Sequence, residues 1–341
     1  MSRPRSPLRS YLINAILTLT AFGLLALAIR SNWPQIREVM DRKIDLRLFA
    51  LAFGVYLVAM LLTFLRWFYL VRALGLPFRW ADAMRLGFIG NVFNLVIPGA
   101  VGGDVIKAAF LCREQSRRTQ AIASMAIDRI VGLLGLFVLA ALVGTRVASG
   151  ASVQVYRLVQ VVWLAVAAGV IGLAILFTPT LYRPLERLFA GKGRLGTIFS
   201  ELVLMASAYR RRIGTIIGAL AISVGLQVLF AVSFYLVSLA LFGERTPSLA
   251  QHLLMVPLVL FSTAVPLPFG ALGLTEQVSA QLFALVNHPG GAVAMMGFRI
   301  LMYTGGLVSI GVYLANQRQV RDLSAAPAAE TPVNELHLDA V

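Results

Sequence analysis

Residues Ala121–Val143 read AIASMAIDRIVGLLGLFVLAALV. Crossing the hydrocarbon core of a bilayer as a helix takes about 20 residues, and a run this long and apolar exceeds the ordinary buried helix of a soluble protein. Asp128 and Arg129 stand side by side within it. Charge at such depth is costly, so the stretch that assigns the chain to the membrane also marks a place with polar work to do.

Comparable runs lie at Tyr11–Ile29, Leu46–Leu65, Val153–Phe177, Ile213–Leu241 and Ala292–Ala315. The composition agrees: 59% of the 341 residues are hydrophobic, 13% are charged, and the mean hydropathy is +0.82. Length alone would suggest roughly two or three soluble domains. The hydropathy instead implies one membrane domain over residues 11–315, between a cytoplasmic tail at 1–10 and a disordered Ala- and Pro-rich tail at 316–341. Two further apolar regions, Leu86–Phe110 and Leu253–Leu285, are interrupted by Pro98, Gly99, Gly102 and Gly103, and by Pro257, Pro266, Pro268, Gly270 and Gly273. Proline removes a backbone donor and clashes with the preceding turn. Non-helical backbone at membrane depth survives only inside protein or beside a cavity. The expected fold is therefore an all-α polytopic membrane protein, with about six transmembrane helices and two broken or re-entrant hairpins.

The net charge is +15. In a membrane chain such an excess follows from Lys and Arg gathering in cytoplasmic loops, so no nucleic-acid partner is inferred. With the N-terminus inside and each hairpin returning to its own side, 20 of the 30 basic residues fall on the cytoplasmic side and eight outside, leaving Arg129 and Arg299 in the bilayer. The inside segments include Arg66–Arg85 and the loop Thr178–Arg212. This places both termini in the cytoplasm and the protein in a bacterial-type inner membrane. Arg3, Arg5 and Arg9 before Tyr11–Ile29 imitate a signal peptide, but the apolar run is long and has no clear cleavage site, so it reads as a retained helix. A single cysteine, Cys112, excludes an intrachain disulfide, and His252, His288 and His337 are scattered, so no metal site is expected. No nucleotide loop, zinc-protease helix or serine elbow occurs, so neither cofactor nor ATP-driven pumping is expected.

The chain resembles itself at an offset of about 170 residues. Gly99-Ala100-Val101-Gly102 matches Gly270-Ala271-Leu272-Gly273, with Pro98 and Pro268 before and Asp104 and Glu276 after. On the next helix Met125, Arg129 and Ile130 align with Met295, Arg299 and Ile300. The first hairpin opens from inside and the second from outside, which makes halves 11–143 and 153–315 an inverted repeat, a common plan of secondary transporters.

Each hairpin thus brings an acid, Asp104 or Glu276, and each following helix an arginine, Arg129 or Arg299. Two readings stand side by side. The pairs lock hairpin to helix as buried, bidentate ion pairs, or the guanidinium groups take a lipid phosphate. Asn91 and Asn94, three apart on one helical face, and Lys107 and Asp128 complete the charged set. Asp128 and Arg129 are adjacent and point about 100° apart, so they are not expected to pair with each other. Gly99, Gly102, Gly270 and Gly273 serve the hairpins through close packing or turn conformation.

The order Gly90-Asn91-x-x-Asn94-x-x-x-Pro98-Gly99-x-x-Gly102-Gly103-Asp104-x-x-Lys107, then Asp128-Arg129, then Pro268-x-Gly270-x-x-Gly273-x-x-Glu276 resembles the flippase-like family. That family comprises the membrane region of lysylphosphatidylglycerol synthases and its stand-alone relatives, and the resemblance spans roughly residues 10–315. Relatives often carry Gly-Glu and Arg after the first proline, where this chain has Gly103-Asp104 and Lys107. The resemblance implies a membrane protein that binds and translocates a phospholipid, or a polyprenyl- or hopanoid-type lipid. Full-length synthases add a soluble aminoacyl-transferase domain, and the 26 residues after Ala315 are too few to form one.

Three functions follow for weighing. A flippase requires a polar cavity lined by the arginines and hairpin tips. A non-transporting membrane partner of a lipid- or glycan-modifying enzyme predicts closed salt bridges and no groove. An intramembrane transferase would need Asp104 or Glu276 as base in an open pocket, and a lipid aminoacyl-transferase would be so in family name only, its soluble catalytic domain being absent.

Overall fold

The computed structural model describes residues 7–96, 102–114, 118–189, 193–265 and 267–315. Among these there are helices and turns but no strand. The helices are α1 (Pro7–Ser31), α2 (Trp33–Met40), α3 (Leu46–Ala73), α4 (Trp80–Val96), α5 (Gly102–Glu114), α6 (Arg118–Ala148), α7 (Val153–Phe177), α8 (Pro179–Phe189), α9 (Gly193–Tyr209), α10 (Ile213–Phe242), α11 (Leu249–Phe261), the single turn α12 (Pro268–Ala271), α13 (Leu274–Ala284) and α14 (Gly291–Ala315).

Helices begin where a side chain satisfies the first free amides. Asp45 accepts from the N–H groups of Arg47 (2.9 Å) and Leu48 (3.2 Å) to start α3. Ser248 and Gln251 cap each other's backbone to start α11. Helices α3, α6, α7, α10 and α14 are long and apolar enough to cross a bilayer, and α1, bent 69° against α2, makes a sixth. Large apolar side chains such as Leu19, Leu164 and Leu307 face outward, as a lipid solvent allows. The chain is a multi-pass integral membrane protein.

Helices α3 and α10 form the central pair and run antiparallel. Asp45 N–H donates to Ala240 O (3.3 Å), Ser233 Oγ to Ala52 O (2.8 Å), and Arg66 Nη1 to Ser223 Oγ (2.8 Å), so one number rises as the other falls. Around this pair the halves exchange partners, with α6 packing on α11 and α4 on α14. In chain order α3, α4, α5 and α6 precede α10, α11, α13 and α14 by about 170 residues each.

Neither hairpin is a straight crossing. At 1.5 Å per residue, α5 and α11 reach only about 20 Å and α13 about 17 Å, short of the hydrocarbon thickness. Their partners turn back instead, α4 on α5 and α11 on α13. Pro98, Gly99 and Pro266 lie outside the described residues, as does the expected tail 316–341.

Two expectations change. Beyond Thr178, an extended residue that ends α7, the segment to Arg212 is helical apart from 190–192, which lie outside the described residues, and α9 packs on α6 and α7. Buried Val203, Ala206 and Tyr209 explain why: they are spaced three apart, on one face. Tyr209 Oη also donates to Leu70 O at 3.0 Å. Second, α3 runs past Leu65 to Ala73, because Trp67–Val71 is as apolar as what precedes it, so Arg66 belongs to a helix and not to a loop.

Candidate functional site: a charged cavity beside the first hairpin

Asp104 lies in the first turn of α5, and Arg129 on α6 reaches it with Nε on Oδ2. Lys107 Nζ sits 3.6 Å from the other carboxylate oxygen. It also lies over the rings of Trp67 (5.5 Å) and Phe64 (6.0 Å), near the range where a cation gains from an aromatic face. This close seating depends on bare backbone. A Cβ on Gly103 would lie 2.0 Å from Gly90 O, and one on Gly90 would strike the Lys107 side chain. Asn94 Oδ1 accepts from Gly103 N–H at 2.8 Å, tying the two arms of the hairpin together. Asn91 Nδ2 reaches Ser309 on α14 at 2.9 Å.

Asp128 does not face its neighbour. It receives a bidentate grip from Arg66, Nε to Oδ1 at 2.8 Å and Nη2 to Oδ2 at 3.0 Å, while Arg66 Nη1 goes to Ser223 on α10. Arg66 is the charged cavity-lining residue that sequence reasoning did not single out. The apolar run Trp67–Val71 beyond it was the signal that α3 had not ended.

These groups surround a cavity of about 330 Å³. Asn91, Asn94, Asp104, Lys107, Asp128 and Arg129 line it as a set, joined by Arg66 and by Gly270 from the second hairpin. Three cations, Arg66, Lys107 and Arg129, face two carboxylates, Asp104 and Asp128, leaving one net positive charge. At the rim stand Leu133 (37% exposed) and Phe261 (41% exposed), apolar side chains on the outer surface of α6 and α11. Tyr56, Met60, Phe230 and Phe298 form the apolar interior wall.

The corresponding set of the second half is closed. Arg299 on α14 engages all three guanidinium nitrogens: Nε with Glu276 Oε1 (2.5 Å), Nη1 with Phe269 O (2.7 Å), and Nη2 with Glu276 Oε2 (3.0 Å) and Thr275 Oγ1. Glu276 Oε2 also accepts from Gly273 N–H at 2.7 Å. The Arg299 and Glu276 side chains are 5% and 0% exposed, against 40% for Arg129. Gly273 (φ +82°) lies beneath α1, where a Cβ would meet Leu25 N at 2.4 Å. Of the other glycines singled out, Gly102 opens α5 and Gly99 lies outside the described residues.

Fold and site together define a polytopic helical membrane protein with a charged cavity held between two oppositely placed hairpins. A family described as the lysylphosphatidylglycerol synthase TM region matches residues 12–309, and the chain belongs to it. No curated protein and no solved structure matches the chain.

Proposed function

We propose that this protein binds the charged head group of a membrane lipid in the cavity beside the first hairpin and carries it across the cytoplasmic membrane. The observation behind this reading is a room of about 330 Å³ with an excess of one positive charge and a rim of exposed apolar side chains. A phosphodiester carries one negative charge, and guanidinium and ammonium groups are its natural partners. Acyl chains resting against Leu133 and Phe261 would remain in the bilayer while the head group entered. Arg129 and Lys107 are the phosphate ligands in this reading, Asp104 positions both, and Asn91 and Asn94 supply amide groups to the polar wall. The α9 end of the bundle faces the cytoplasm, in keeping with Arg72, Arg79, Arg85 and Arg210–Arg212 gathered there. An inverted repeat suits alternating access about a central site.

The test is reconstitution in vesicles with a fluorescent phosphatidylglycerol and a membrane-impermeant quencher. The wild type should exchange label between leaflets faster than protein-free vesicles, and Arg129→Gln with Lys107→Gln should lower that rate by about tenfold or more, the scale of a lost charge-assisted contact. Equal rates for wild type and double variant would overturn the assignment.

One observation favours the second reading, a non-transporting partner of a lipid- or glycan-modifying enzyme: the Arg299–Glu276 pair is sealed, as a static scaffold would have it. Lipid binding without any accelerated exchange would favour that reading.

A further inference from the structure

The two halves share a plan but differ in state, since the charged set at Asp104 is open to a cavity and the set at Glu276 is shut. What shuts it is specific. The second hairpin turns through Phe269 (φ 58°), Gly270 (φ 67°) and Ala271 (φ 54°), three successive residues in left-handed backbone, two of them not glycine. Such conformations are costly for non-glycine residues and persist only where the surroundings enforce them. Here the carbonyls of Phe269 and Gly270 point at Arg299 Nη1, at 2.7 and 3.3 Å. Gly270 at the same time lines the open cavity. The strained turn is therefore the wall between that cavity and the buried guanidinium.

The outer side of this turn is covered by α1. The Phe22 and Phe269 rings meet edge-on at 5.8 Å, and the backbone at Leu24 and Leu25 presses against Gly273. Helix α1 packs on α12 and α13, while Ile16 (60% exposed) and Leu19 (71%) face the surroundings. No hydrophobic force holds such a helix in a bilayer, because lipid replaces its contacts with equally apolar ones. The departure of α1 would break none of the five hydrogen bonds of Arg299, all of which go to the 269–276 segment, yet it would open the turn sideways to lipid.

We propose that α1 is the lid of a second head-group site, closed in this structure, whose ligand is Arg299. The ligand is the same anionic lipid phosphate, and the inference rests on reading the first cavity as a lipid site. Movement of α1 uncovers the 269–271 turn, the turn relaxes out of its left-handed backbone, and the carbonyls that occupy Arg299 Nη1 yield their place to phosphate oxygens. Glu276 keeps Nε, so the arginine remains anchored while it changes partner. The lipid then passes from the Arg129 set to the Arg299 set through the wall that Gly270 now forms.

The experiment ties the lid down. In a Cys112→Ser background, Phe22→Cys with Phe269→Cys is bridged by a short reductant-cleavable dithiol reagent. Thr145→Cys with Trp163→Cys, a pair whose wild-type side chains bond across α6 and α7 at 3.1 Å, is the control bridge. In vesicles carrying labelled phosphatidylglycerol, bridging α1 to the turn should slow leaflet exchange by about tenfold or more, with recovery on reduction, while the control changes it less than about twofold, since only the first bridge removes a conformer from the equilibrium. Binding of phosphatidylglycerol at the first cavity should survive both bridges. Undiminished exchange with α1 bridged would overturn the lid. Exchange no faster than in protein-free vesicles for the unbridged protein would overturn the transport reading, and the lid with it.

Discussion

Arg66 on α3 and Asp128 on α6 meet through two parallel hydrogen bonds of 2.8 and 3.0 Å, and the remaining Arg66 nitrogen crosses to Ser223 on α10. One guanidinium thus links the first half to the central helix of the second while lining the cavity. Removing one partner of a buried pair leaves a lone charge, which costs about 3–5 kcal/mol, whereas replacing both can be neutral. Asp128→Asn should therefore shorten the half-life at elevated temperature of the detergent-purified protein markedly, and Arg66→Met with Asp128→Leu should recover much of it. A double variant no more durable than Asp128→Asn would mean that Arg66 is held by something other than its pairing.

Arg129 and Arg299 occupy equivalent places yet should respond differently. Arg129 is 40% exposed, so its pairing with Asp104 is partly screened and Arg129→Gln should cost about 1 kcal/mol or less in stability. Its effect should fall on anionic-lipid binding, read by native mass spectrometry. Arg299→Gln strands a carboxylate that is 0% exposed and should reduce the yield of folded protein before any binding is measured. Equal losses of stability in the two variants would contradict this division.

The close approach of the hairpin arms makes Gly103 intolerant of a side chain. Its Cβ would fall 2.0 Å from Gly90 O, a backbone atom that cannot step aside. Gly103→Ala should destabilise by about 3 kcal/mol or more, the upper range for overpacking. Gly54→Ala on α3, with nothing within 4 Å, is the neutral comparison. Thermal unfolding of the two variants side by side decides the matter.

His288, between α13 and α14, is buried against the Phe242 ring at 4.9 Å, and its Nε2 has no hydrogen-bond partner among the described residues. Burial disfavours the imidazolium and lowers its pKa below the ordinary value. The unfolded chain then takes up the proton more readily, so this contribution to stability is complete above about pH 6.5 and declines as pH falls below it toward the lowered folded value. Thermal inactivation at pH 7.5 and pH 5 should show a smaller acid loss in His288→Gln than in wild type. An unchanged difference would assign the acid sensitivity elsewhere.

Much of the architecture could be read along the chain because a bilayer constrains sequence so severely. Twenty apolar residues in a row, as at Ala121–Val143, have little choice but a helix across it, since every backbone polar group must be satisfied within the segment. The prolines and glycines of Leu86–Phe110 and Leu253–Leu285 forecast broken hairpins for the same reason. The matched order of acid and arginine, Asp104 to Arg129 and Glu276 to Arg299, anticipated two pairs that the structure contains. Which long-range partner each remaining charge would find was a different kind of question. Asp128 turned to Arg66, 62 residues away, because a helix points adjacent side chains apart and only the packing of α3 on α6 determines what lies opposite. The same limit hid the difference between the halves. Arg129 and Arg299 are equivalent in sequence, yet one borders a cavity and the other is enclosed by the 269–271 turn and α1. Exposure belongs to the arrangement of neighbouring helices, and in a bilayer, where lipid and apolar side chains solvate a helix almost equally well, no local pattern of residues specifies it.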